Sequence, residues 1–147
     1  SDEAPALAWQ SPPGWQTAPN PNAMRIATYR PAAESSDAPE ISITRAGGTT
    51  EANIQRWLDQ FDNRGIEKRT EVKVHGLDVV VVEVSGTYMG GSMMPGSQSP
   101  SHAGWTLVGA IVPTAGSAYF FKLLGPSAKV QGARASFDAL VRSAAPR

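Results

Sequence analysis

Met89, Met93, Met94 and His102 fall in one uncharged segment, Met-Gly-Gly-Ser-Met-Met-Pro-Gly-Ser-Gln-Ser-Pro-Ser-His-Ala-Gly, running from Met89 to Gly104. Thioethers are soft ligands and imidazole is borderline, so this set has the chemistry to hold Cu(I) or another soft metal. Methionine also fills irregular gaps and makes adaptable contact surfaces. Tyr88 and Trp105 flank the segment. Aromatic anchors beside methionines describe a surface that docks a partner protein or an apolar ligand. The docking reading leads, with Tyr88, Met89, Met93, Met94, His102 and Trp105 as its residues. Soft-metal binding is the alternative, and no resident cofactor is expected.

The other reactive side chains are poorer candidates. His75 stands three residues before Asp78 at a turn, and a His–Asp pair can move protons. With no Cys in the chain and no Ser in a nucleophile setting, the pair lacks a partner for covalent catalysis. An enzyme using His75 and Asp78 is therefore the weakest reading, and no catalytic residue is expected. Glu51, Asp59 and Asp62, and then Glu67 and Glu71, sit among basic residues as solvated, charge-balanced faces rather than a hydrolytic pair. Gly47-Gly48-Thr49-Thr50 opens a helix, without the Walker lysine or the Rossmann glycine spacing. Capping by Thr49 or Thr50 accounts for it.

Charge distribution narrows the search. The 147 residues include 13 basic and 13 acidic ones, and none of them lies between Glu83 and Lys122. A stretch that avoids charge is buried or meets something uncharged. Zero net charge without a basic cluster argues against a dedicated nucleic-acid face, and a polybasic membrane patch is absent from the sequence. The absence of Cys excludes disulfides and zinc thiolate sites. No apolar run approaches the roughly 20 residues of a membrane span.

Elements must hold these residues in place. Prolines make residues 1–22 irregular, with 1–7 expected as a flexible tail and Trp9 and Trp15 as anchors on the body. Ala23–Arg30 and Ile41–Arg45 read as strands. Ile54, Trp57, Leu58 and Phe61 form one apolar face of a helix over residues 50–63, with Gly65 as its stop. Glu67–Val74, Val79–Val84, Trp105–Val112 and Tyr119–Leu124 are four further strands. The last two are apolar on both faces and so need cover on both sides. Val130, Ala133, Phe137, Leu140 and Val141 mark a final helix over residues 130–143. Glu83 interrupts the valine strand, and either Lys122 or water should meet it.

The order strands, helix, four strands, helix predicts an α+β chain forming one domain over residues 1–147. Its mainly antiparallel sheet would be sandwiched between helices as an α/β/α sandwich. Two stretches carry a family resemblance. One is Pro13-Gly14-Trp15 followed by the first strand. The other is Tyr119-Phe120-Phe121-Lys122-Leu123-Leu124-Gly125-Pro126, followed by a helix with Phe137 and Leu140. On these the chain resembles the PsbP-like group, which includes an extrinsic subunit of photosystem II and small bacterial exported lipoproteins. A Ran-binding nuclear import factor shares the fold. The resemblance implies a scaffold for binding and assembly, and a non-enzymatic protein of the bacterial periplasm or envelope. Because the chain starts at Ser1, a processed N-terminus is expected, with room for a leader or lipid anchor upstream.

Overall fold

The run Val79–Val82, with Val84, is β-branched and favours extended backbone. It forms the middle of β6 (Leu77–Tyr88). Strand β6 pairs with β5 (Phe61–Val74) through the two-residue turn His75-Gly76. His75 has φ 47° and Gly76 has φ 81°, the left-handed pair that a tight hairpin turn requires. The structure, a computed structural model, describes residues 7–12, 14–19, 25–31, 39–47, 49–89, 102–114 and 118–146.

Strands β7 (His102–Pro113) and β8 (Ala118–Pro126) continue the meander. Earlier in the chain come β2 (Trp15–Thr17), β3 (Arg25–Pro31) and β4 (Glu40–Ala46). All seven form one antiparallel sheet in the order β2-β3-β4-β8-β7-β6-β5. Strand β4 thus neighbours β8, and the chain must cross the sheet to reach β5 at the far edge. Helix α1 (Thr50–Leu58) makes that crossing. Its N-terminus is closed by Thr49, whose Oγ1 accepts from Ala52 N–H at 3.0 Å.

Ile54 and Trp57 of α1 pack on one face of the sheet, against Val82, Val84, Leu107, Ile111 and Phe120. Helix α2 (Ser127–Arg142) covers the other face with Val130, Ala133, Phe137, Leu140 and Val141. Beneath it lie Ile41, Ile43, Val108, Ala110, Tyr119 and Phe121. The two-sided apolar pattern of β7 and β8 is satisfied by one helix on each side.

Several sequence expectations need correction. The first helix ends at Leu58, capped by Asp59, so Phe61 and Gly65 lie in β5. Phe61 keeps the burial its helical spacing implied, at 4% exposure, by facing Tyr88 across the strands. Leu7 is not the end of a loose tail; it is 1% exposed and pairs β1 (Leu7–Ala8) with β9 (Ala145–Pro146). Residues 1–6 of the expected tail lie outside the described residues. Trp9 does anchor the early segment. Its ring meets Tyr119 and Phe121 edge-on at 6.0 and 5.7 Å, and its Nε1–H donates to Tyr29 Oη at 3.1 Å.

Gly109 on β7 is where Trp57 rests on the sheet. A Cβ there would overlap Trp57 Cζ3 and lie 2.8 Å from Cη2. The ring is buried and has nowhere to retreat. Gly109→Ala is therefore expected to destabilise the fold by about 1–3 kcal/mol, as overpacking does. Urea unfolding should show a lower midpoint; an unchanged midpoint would mean that the ring moves freely.

Candidate functional site

The aromatic residues that flank the uncharged segment lie at the end of the β6–β7 pair where the chain leaves β6 at Tyr88 and enters β7 at His102. The register sets Tyr88 opposite His102 and Gly86 opposite Trp105. All three rings come out nearly parallel. His102 stacks on Trp105 at 4.0 Å with 16° between planes. Trp105 lies 5.6 Å from Tyr88 at 4°, and Tyr88 lies 6.5 Å from His102 at 19°. Phe61, fully in the core, supports Tyr88 from behind at 5.3 Å. Tyr88, His102 and Trp105 are each half-buried, so the rings form a ledge whose inner side is core and whose outer side meets solvent.

Met89 follows the ledge and is 48% exposed, one of two exposed large hydrophobic side chains among the described residues. Its N–H donates to Gln60 O at 2.8 Å, which fixes the backbone where the strand ends. Met93 and Met94 lie outside the described residues. The structure thus brings together four of the six candidate residues: Tyr88, Met89, His102 and Trp105. Among the described residues, no group of three His, Asp or Glu side chains is placed to hold a metal.

The other candidate chemistry separates. His75 Nδ1 lies 2.9 Å from Ala144 O; a carbonyl only accepts, so Nδ1 carries the proton and donates. Asp78 pairs with Lys73 at 3.3 Å. Each member of the proposed His–Asp pair is engaged elsewhere. Glu83 meets neither Lys122 nor water alone. It points to the α2 side and pairs with Arg134 at 3.0 Å, its side chain 13% exposed. Lys122 sits opposite Gly109, which faces α1, so the sheet itself separates the two. Burial weakens the charged state of Arg134, yet hydrogen bonds and charge from Asp138 and Glu83 outweigh it and raise its pKa.

One feature has no clear sequence signal: a groove of about 440 Å³ between β5 and α2, lined by Val72, Val74, Val81, Arg134, Phe137 and Val141 among others. Only the helix placement leaves this strip of sheet uncovered. Its sole trace in the sequence is Val72 among the charges of β5.

No family model matches the chain, and no curated protein resembles it in sequence. Solved structures do share its architecture. LpqN, involved in cell envelope biogenesis of Mycobacterium tuberculosis, superposes with a TM-score of 0.64 at 11% identity, covering 99% of this chain and 85% of that one. The cyanobacterial PsbP protein of Synechocystis gives 0.58 at 11% identity, covering 99% and 95%. PA94 of Pseudomonas aeruginosa, a protein of unknown function, gives 0.60 at 11% identity, covering 90% and 97%. The architecture is an α+β sandwich, and it is the PsbP-like fold. At such identity the likeness concerns the fold. No helix among the described residues is long and apolar enough to cross a membrane.

The ring stack should contribute measurable coupling. A double-mutant cycle of His102→Ala and Trp105→Ala, read by chemical denaturation, is expected to give about 0.5–1.5 kcal/mol of interaction energy. Additive effects would mean that the two rings do not act together.

Proposed function

We propose that this protein is a non-enzymatic binding module of the bacterial envelope, docking an uncharged partner protein through the ledge of Tyr88, His102 and Trp105 with Met89. The observation that carries this is the stack itself: three parallel rings, half-open to solvent, in a stretch without a charged side chain. Rigid aromatics in partly desolvated settings are the usual anchors of interfaces. Met89 beside them supplies a contact that adapts to shape. The fold shared with an envelope-biogenesis protein supports the compartment, and an exported or lipid-anchored form fits the same reading.

Photocrosslinking in the source cells tests it. A photoreactive phenylalanine analogue at position 105 is expected to capture a discrete partner, and one at the exposed Gln131 on α2 is not. With the captured partner purified, Tyr88→Ala should weaken binding by about 30-fold or more, as loss of a 2 kcal/mol anchor does. Equal capture at both positions, or unchanged affinity in Tyr88→Ala, would count against the ledge.

Soft-metal binding is a second reading, favoured by the pairing that sets His102 beside the strand end carrying Met89. Competition with a Cu(I) chelator should then show tight uptake that is lost in Met93→Ile/Met94→Ile and in His102→Ala. Uptake indifferent to those changes rejects the site.

A further inference from the structure

Strand β5 is the outer strand of the seven-stranded sheet, and no described residue pairs with its free side. Its regular part runs as Glu67-Lys68-Arg69-Thr70-Glu71-Val72-Lys73. An exposed edge of this length offers a row of unpaired N–H and C=O groups. We propose that it pairs with β5 of a second copy of this chain, antiparallel about a two-fold axis through Thr70.

One observation selects that register and two more agree with it. The first is charge. On the α1 face the sequence reads Glu67, Arg69, Glu71, Lys73, and folding it about Thr70 sets Glu67 against Lys73 of the second copy. Arg69 then meets Glu71 of the second copy, and symmetry repeats both pairs. Four opposite-charge pairs result. Moving the axis to Arg69 sets Arg69 against itself and Glu67 against Glu71. Moving it to Glu71 sets Glu71 against itself and Arg69 against Lys73. Opposite charges across strands stabilise and like charges oppose, so the pattern selects one register.

The second is backbone polarity. The two-residue turn makes Val74 and Leu77 a hydrogen-bonded pair, so Val74, Val72, Thr70 and Lys68 direct their backbone groups at β6. Glu67, Arg69, Glu71 and Lys73 therefore direct theirs outward. Those are the residues that the register matches with one another, which is what an antiparallel ladder needs.

The third is the one apolar side chain of the edge. Val72 is 40% exposed. In the pair it lies opposite Lys68 of the second copy, whose methylene stem can cover it. The intrachain pairs Arg64–Glu67 at 3.2 Å, Arg69–Glu51 at 2.6 Å and Lys73–Asp78 at 3.3 Å involve side chains that are each at least a third exposed, so solvent screens them and they are free to share. Glu71 has no ion-pair partner among the described residues. Main-chain bonds give such a strand pair its affinity, and the charges give it register and partner choice. The two-fold axis is perpendicular to the sheet, so both aromatic ledges come to one face of the merged sheet. That arrangement suits bivalent docking.

The chain has no Cys, which permits a clean test. Sedimentation of the wild-type protein should give twice 15.5 kDa. Thr70→Cys should form a disulfide-linked dimer under mild oxidation, because its Cβ atoms would be about 4.5–5.5 Å apart across the axis. Val72→Cys should not, because two copies of residue 72 lie about 13 Å apart along the strands. Glu71→Lys should dissociate the dimer, and Arg69→Glu/Glu71→Lys should restore it. A wild-type protein that stays monomeric at high micromolar concentration overturns the proposal. So does equal crosslinking at positions 70 and 72, or a dimer unaffected by Glu71→Lys.

Discussion

The contact of Trp57 with Gly109 is the constraint on which the rest of the molecule turns. Strands β7 and β8 have no face that tolerates water, so the sheet is stable only with a helix on each side. Helix α2 follows β8 directly and folds back onto its neighbour strands. Helix α1 has a harder task, because it must carry the chain from β4 to the opposite edge and cover the sheet on the way. A bulky indole lying on the sheet fills that space, and it needs a residue without a side chain beneath it. Phe120 meets the same indole edge-on at 5.7 Å, which holds it in place. Helix α1 also joins β4 to β5, so the element that seals this face is the one that carries the chain to the far edge of the sheet.

The long absence of charge divides into two parts with different causes. Val84, Leu107–Val112 and Tyr119–Phe121 lie in the interior, where an unpaired charge would lose its hydration without compensation. Burial explains those residues in full. Tyr88, Met89, His102 and Trp105 reach solvent, and burial does not explain why they are uncharged. The stacking of three rings there gives a surface that is rigid and ready to meet another apolar surface. Glu83 and Lys122, which bound the stretch, are not partners. They look out from opposite faces of the sheet, and the distinction depends on strand register alone.

Much of the fold was legible in the residues. The valine run of β6, the double apolar faces of β7 and β8, the apolar stripe of the last helix and a threonine cap, which falls to Thr49, all agree with the structure. These features are local, and each is set by a side-chain period of two or 3.6 residues. Phe61 shows where that reasoning fails. Its spacing from Ile54, Trp57 and Leu58 fits a helix, and burial at the end of a strand satisfies the same apolar demand. The short pairing of Leu7 and Ala8 with Ala145 and Pro146 was not legible, because it joins opposite ends of the chain. Four residues carry little pattern of their own.

For the site, the sequence by itself determined which residues are candidates: an uncharged segment, its methionines, one histidine and two flanking aromatics. It also determined the alternating charges of β5, a composition that needs no structure to be seen. Only the tertiary structure decided that Tyr88, His102 and Trp105 stack as one ledge, that His75 and Asp78 part company, and that β5 lies at an edge. The physical reason is common to all three. Which side chains meet depends on register and strand order, and those are fixed by the shared burial of distant segments against α1 and α2.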